Sequence, residues 1–394
     1  MIPYSRQRVS EQDIAAVVDV LKSDFLTQGE RVSAFERAIA SYCAVPFALA
    51  TCNATAALHL ACIALGVNSK TRVWVAANSF VASANCARYC DAQLDFVDVE
   101  AETGCISTAA LEEKLLKAER EGRLPAVLIV VHIAGLSCDM ATISAMCKPR
   151  GIAIIEDACH AIGANYQGKP VGACEFSDCA VFSFHPVKPL TTGEGGMLVT
   201  HNEDIIERAR LYCQHGIERR PENFASNGPH ADWYYEQQVL GYNYRLSDIQ
   251  SALGISQLKT LDQRIQLREA LSRFYFNAFA GSPLRLPHEK NYAGSSWHLF
   301  PIRFSDQHCR DEAYKALRAK GYGVNIHYLP LPDHPYYRQQ GHTIHNYPAA
   351  KCWGDTELSI PLHDFIDETM QEDIVGVCLN VANSGTQRRV GALT

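Results

Sequence analysis

A chain of 394 residues is long for one hydrophobic core and fits two unequal domains. Hydrophobic residues make up 47% and charged residues 20%, a globular composition that excludes a disordered or fibrous chain. A net charge of -7, with no block of Lys or Arg, argues against a nucleic-acid groove or an anionic membrane surface as partner.

Ser10 and Asp13 form a capping-box pattern ahead of Ile14, Val17, Val18 and Leu21, which repeat at helical spacing. Val32, Phe35 and Ile39 mark a second helix. Short apolar runs then alternate with helical stretches. The runs are Phe47–Thr51, Arg72–Ala77, Leu94–Val99, Val127–Val131, Ile152–Glu156, Ala180–Phe184 and Met197–Thr200. The helical stretches lie near Thr55–Leu65, Ser79–Tyr89, Thr108–Arg120 and Ile143–Lys148. Continuous apolar strands of this kind suit a mostly parallel sheet sandwiched by helices, an α/β domain. From Glu218 to Gly241 the sequence is polar, aromatic and aperiodic, the pattern of a functional loop. One long helix is expected from Leu246 to Phe279, capped by Ser247. The strand "HLFPIRF", a helix over Arg310–Arg318, a Pro/His-rich stretch and a helix after Asp367 read as a smaller C-terminal α+β domain. The expected division is residues 1–250, residues 251–385, and a frayed tail, 386–394.

No apolar run approaches the roughly 18 residues that a membrane span needs, and the first residues carry no signal-peptide core. The fifteen cysteines are scattered, without a CxxC pair, and Cys86 and Cys90 read as buried residues on one helix face. The expectation is a reduced, cytoplasmic protein with neither structural disulfides nor a metal site.

In open α/β sheets, ligands gather beyond the carboxyl ends of the strands, so the residues following each apolar run carry the functional reading. Asp157 follows a strand, as a helix cap or as a carboxylate facing a cationic heterocycle. Asn53, Ala54 and Thr55 stand at a strand-to-helix junction, as a plain cap or as a phosphate seat, and Ser183 brings a hydroxyl to the same edge. Phe80 is either core or a ring that stacks on a flat ligand. Lys188, between prolines in "FHPVKPLTTGEGG", is either a surface turn residue or an amine made nucleophilic by apolar surroundings. Taken together these residues ask for an aldehyde, a ring nitrogen, a ring face and a phosphate. Pyridoxal phosphate has all four.

"SFHPVKPLTTGEGG", with "EDACHAIGA" upstream and "GYNYRLSDIQSALG" downstream, resembles the DegT/DnrJ/EryC1/StrS sugar aminotransferases from Leu26 to Phe365. The resemblance implies a fold-type-I pyridoxal-phosphate aminotransferase fold, like that of aspartate aminotransferase. It implies that Lys188 binds the cofactor's aldehyde, that Asp157 pairs with the ring nitrogen and that Phe80 stacks on the ring. His160 would lie near the ring's 3-oxygen, and Ala54, Thr55 and Ser183 would hold the phosphate. Asn243 would come from the neighbouring subunit of a homodimer with shared active sites. For a nucleotide-sugar substrate the resemblance points to Arg245, His327, Tyr328, Thr27 and Gln28, and also to Tyr4 and His185. The implied reaction carries an amino group from L-glutamate to C4 of a UDP-linked 4-keto-6-deoxy-N-acetylhexosamine. A transaminase of another keto sugar, a sugar dehydratase and a non-catalytic regulator are the alternatives; an intact Lys188 argues against the last two.

Overall fold

The computed structural model describes residues 1–226, 231–287 and 294–391. Its centre is a seven-stranded sheet: β1 (Phe47–Thr51), β2 (Arg72–Ala76), β3 (Gln93–Val97), β4 (Val127–Val131), β5 (Ala153–Asp157), β6 (Cys179–Ser183) and β7 (Gly196–Thr200). The spatial order is β1-β7-β6-β5-β4-β2-β3. Strands β3, β2, β4, β5 and β6 run parallel, and β7 is antiparallel to both β6 and β1. Every residue of β4, β6 and β7 is buried, because helices cover both faces.

The register brings the functional strand ends together. Asp157 ends β5 opposite Val131 and Val181, so Ser183, at the end of β6, extends two residues further. Ser183 pairs with Gly196 at the start of β7, and Gly196 pairs with Thr51 at the end of β1. The helix Ala54–Ala64 leaves β1 there with Asn53 as its N-cap, whose side chain accepts from Ala56 N–H. A Cβ on Gly196 would stand 2.6 Å from the nitrogen of Ala54, so glycine is what allows β7 to pass so close to this helix start.

Two apolar clusters hold the layers. One joins the sheet (Val75, Ile129, Ile155) to Phe300, Ile302, Trp353 and Leu358 of the C-terminal part. The other packs Phe35 and Ile39 of the helix Glu30–Cys43 against Phe182, Phe184 and Val199.

Two expectations are corrected. The long helix is two, Asp248–Leu258 and Leu261–Ala278, because the chain tightens to i→i+3 bonds at Lys259 and Thr260. The first of these packs on the helices Glu11–Leu21 and Glu30–Cys43. No helix follows Asp157; the chain turns through residues 158–164, and Cys159 N–H donates to Asp157 Oδ1 at 3.2 Å. The last helix, Glu368–Gly391, runs into the segment expected to fray, whose final three residues lie outside the described ones. The Pro/His-rich stretch resolves into short helices, Pro335–Arg338 and Pro348–Thr356 among them, with proline in the first turn, where no donor is needed. In the aperiodic loop a two-residue ladder pairs Ile217–Glu218 with Glu236–Gln237, and residues 227–230 lie outside the description. In the C-terminal part β8 (Phe300–Arg303) pairs antiparallel with β9 (Glu357–Ile360). Among the described residues no helix is long and apolar enough to cross a membrane.

Candidate active site

A cleft of about 470 Å³ opens above the ends of β5 and β6. It is lined by twelve of the residues singled out in the sequence: Tyr4, Asn53, Ala54, Thr55, Phe80, Asp157, His160, Ser183, His185, Lys188, His327 and Tyr328. A larger cavity of about 660 Å³, between the helices Glu11–Leu21, Asp248–Leu258 and Leu261–Ala278, contains none of them.

Lys188 sits on the turn that joins β6 to β7. Its own N–H donates to His185 O at 2.9 Å, and Thr191 Oγ1 and Thr192 N–H both bond to Phe184 O. From outside, Ser5 Oγ donates to Val187 O at 2.6 Å, and an Arg264 N–H donates to Pro189 O at 3.2 Å. With Pro186 and Pro189 restricting the backbone, the lysine is presented on a rigid support. Burial pushes its pKa below the usual lysine value, against the opposing influence of Cys159 and Asp157. Loss of water around the ammonium is the dominant cause, and it favours the neutral, nucleophilic amine.

Asp157 is 5% exposed. Ser83 Oγ donates to its Oδ2 at 2.5 Å, and Ser79 Oγ lies 2.6 Å from Ser83 Oγ. Each carboxylate oxygen therefore has one protein donor and keeps capacity for another. At the helix Ala54–Ala64, the N–H groups of Ala54 and Thr55 precede the first intrahelical bonds, and nothing among the described residues accepts from them. With the helix dipole behind them they form an anion seat, next to Ser183. Phe80, 55% exposed, lies in the turn two residues before the helix Ala82–Tyr89 rather than on its first turn, with its ring 6.0 Å from that of Tyr328.

The opposite wall is a group of imidazoles. Burial holds His160 and His298 well below the usual histidine range and brings His327 down to about 3, and the charge of Lys188 adds to each shift. All three are therefore neutral. Ala134 N–H donates to His160 Nδ1 at 3.3 Å, so His160 carries its proton on Nε2 and donates it to Tyr328 Oη at 2.9 Å. The Tyr328 hydroxyl proton is then free to point into the cleft.

Four singled-out residues lie elsewhere. Thr27 bridges to Ser247, Gln28 is exposed with φ 59°, Asn243 bridges to Gln214 and is exposed, and Arg245 bridges to Thr51. They share one edge, held by Asp248, whose carboxylate accepts from the N–H groups of Gly29 and Arg31. Sequence reasoning missed Ser79, Ser83, Glu194, His298 and Asn325. Asn325 lies two residues from His327, and His298 opens "HLFPIRF", whose pattern is that of a strand; nothing local marks either as facing a cleft. Among the described residues no group of His, Cys, Asp or Glu side chains is placed to hold a metal ion.

A buried lysine and carboxylate at neighbouring strand ends, beside an open helix N-terminus on a mostly parallel sheet, define the class: an aminotransferase fitted to pyridoxal phosphate. The family model described as the DegT/DnrJ/EryC1/StrS aminotransferase family matches residues 7–378, and the chain belongs to this family. It is 38% identical, over 92% of its length and 93% of the relative's, to a UDP-4-amino-4,6-dideoxy-N-acetyl-beta-L-altrosamine transaminase of Campylobacter jejuni. Spore coat polysaccharide biosynthesis protein SpsC of Bacillus subtilis is 32% identical over 95% of both chains. Among solved structures, PseC of Helicobacter pylori, an aminotransferase involved in the biosynthesis of pseudoaminic acid, superposes with a TM-score of 0.88. It is 30% identical, over 97% of this chain and 99% of that one.

Proposed function

We propose that this protein is a pyridoxal-phosphate-dependent transaminase that moves an amino group from L-glutamate to C4 of a UDP-linked 4-keto-6-deoxy-N-acetylhexosamine. The product would be the compound in the Campylobacter relative's name, with pseudaminic acid biosynthesis as the pathway. The observation that carries this reading is Lys188 and Asp157 in one cleft with the open N–H groups of Ala54 and Thr55. These residues fit the cofactor: a buried amine for its aldehyde, a carboxylate with spare capacity for its ring nitrogen, and an anion seat for its phosphate. Phe80 would cover the ring face, His160 would stand on the side of the 3-oxygen, and Ser183 would join the phosphate seat. When bound, pyridoxal phosphate supplies an electron sink for the amino donor's Cα. Lys188, as a neutral amine, is the group that takes the Cα proton and returns one to the acceptor side. Asp157, held by the hydrogen bond from Ser83, would present its remaining acceptor capacity to the ring nitrogen. Tyr4, His185, His327 and Tyr328 would receive the sugar.

Thr27, Gln28, Asn243 and Arg245 act, in this reading, in the cleft of a second copy, with Asn243 of the partner subunit completing the phosphate seat and Arg245 meeting the diphosphate. Exposed Phe25, Leu26, Trp233, Tyr235 and Leu240 on the same and neighbouring segments support a homodimer. The fifteen free cysteines support a reducing, cytoplasmic setting. The test is borohydride reduction of the purified enzyme followed by peptide mapping. A pyridoxyl group on Lys188, and release of 2-oxoglutarate from glutamate, are expected; an unlabelled Lys188 sinks the assignment. A panel of nucleotide-linked 4-keto sugars, with product configuration read by NMR, tests the substrate.

A further inference from the structure

A buried polar chain leads from β9 to the cleft. Ser359 Oγ lies 2.6 Å from Glu357 Oε1 and 2.8 Å from His327 Nδ1. The main-chain N–H of His327 donates to the other oxygen of Glu357 at 2.7 Å. Glu357 and Ser359 are fully buried, and His327 is 3% exposed, with its ring on the cleft wall.

Only one hydroxyl proton serves the two contacts of Ser359. A carboxylate can only accept, so Ser359 donates to Glu357. Ser359 must then accept from His327 Nδ1–H, and the lone pair of the neutral ring is left on Nε2. That atom has no partner among the described residues. If Glu357 takes a proton from solvent, the chain reverses. Glu357 donates to Ser359, Ser359 donates to Nδ1, and the ring proton sits on Nε2. The imidazole is neutral in both states; only what it shows to the cleft changes.

We infer that Glu357 is a positioning residue which, through Ser359, decides whether His327 offers the substrate an acceptor or a donor. In the acceptor state His327 Nε2 reads a hydroxyl or amide N–H of the sugar. The substrate in this statement rests on the function proposed above, whereas the state of the imidazole does not.

The surroundings place the reversal in a useful range. Burial pushes Glu357 up to about 7, outweighing Ser359, the His327 N–H and the Arg310 guanidinium. Arg310, on the helix Gln307–Ala319, reaches the Glu357 carbonyl at 3.3 Å and is itself paired with Asp311. Arg303 stands opposite Glu357 in the β8–β9 register, with its guanidinium over Trp353. Tyr328 follows His327 in the chain, and the charge of Lys188 reaches His327. The acceptor state therefore belongs to pH above about 7 and the donor state to pH below it.

Glu357→Gln tests this without a change of shape. Its amide oxygen must face the His327 N–H, so its NH₂ donates to Ser359 and the donor state is imposed at every pH. Histidine tautomers are read by 15N NMR on the labelled holoenzyme, with the His327 signal assigned by its loss in His327→Gln. The wild type is expected to pass from Nε2–H to Nδ1–H between about pH 6 and about pH 8, and Glu357→Gln to hold Nε2–H throughout. Ser359→Ala, which leaves the carboxylate in place, should abolish the exchange. At about pH 8 the KM of Glu357→Gln for the keto sugar should rise about tenfold, the loss of one hydrogen bond, with kcat within about twofold. An Nδ1–H tautomer in Glu357→Gln, an exchange that survives in it, or equal losses in kcat and kcat/KM would overturn the inference. If the tautomers behave as stated but the enzyme does not turn over UDP-linked keto sugars, the substrate assignment fails and the positioning role stands.

Discussion

The floor and the wall of the cleft are built by different means. The floor is backbone architecture: Asp157 and Ser183 end adjacent strands, Ala54 and Thr55 begin a helix, and Lys188 rides a turn pinned at both ends. The wall is held by side-chain bonds. His160 depends on Tyr328 and the Ala134 N–H, His327 on Ser359 and Glu357, and Tyr328 N–H on the side chain of Asn78. Geometry that belongs to a sheet's register moves only if the sheet moves. Geometry that belongs to a chain of protons can be changed by one titration or one substitution. Chemistry common to a family suits the floor, and substrate reading suits the wall.

The largest effect expected in this contrast comes from the floor. Lys188→Ala should lower kcat for transamination by at least about 10³-fold while cofactor still binds non-covalently, as read by absorbance and stopped assays. Because the Asn243 edge belongs to the partner's site in this reading, mixing Lys188→Ala with Asn243→Ala should restore about a quarter of wild-type activity, through mixed dimers with one intact site. No recovery in subunits shown to have exchanged would break the shared-site arrangement.

Gly196→Ala separates support from chemistry. The added methyl collides with the backbone of Asn53 and Ala54, so thermal or denaturant unfolding should show a loss of about 1–3 kcal/mol. Phosphate-seat affinity should fall with it, because the helix start is displaced. Unchanged stability would mean that β7 is free to shift.

The smallest effect is on the wall. Its histidines have lowered pKa values in the folded state, so the unfolded chain binds protons that the folded chain does not. Their contribution to stability is complete above the unfolded value near 6.5 and is lost as pH falls towards the folded value, about 3 for His327. Apoprotein melting temperature should therefore decline as pH falls below about 6.5, and the slope should flatten in His327→Gln by an amount set by at most about 1.4 kcal/mol per pH unit. An identical slope in the variant would show that His327 already titrates normally.

The seven strands of the sheet were legible within a residue or two because continuous Val/Ile-rich runs have few other places to go. The floor was legible for the same reason, since its residues sit at the ends of those runs. The rest was partly hidden: Ser83, which supports Asp157, and His298 and Asn325, which line the cleft, lie in segments whose own pattern gives no sign of a cleft. The break at Lys259 and Thr260 was also hidden, because helical periodicity continues across it.

By itself the amino-acid order determined the sheet, the covering helices and the set of groups at the strand ends, since local periodicity and burial act over a few residues. Only the tertiary structure decided which imidazoles line the cleft with Lys188, which nitrogen of His160 and of His327 carries the proton, and that Thr27, Gln28, Asn243 and Arg245 lie outside the lining of their own chain's cleft. Those outcomes depend on residues far apart in the chain meeting at hydrogen-bond distance, and no local pattern encodes such a meeting.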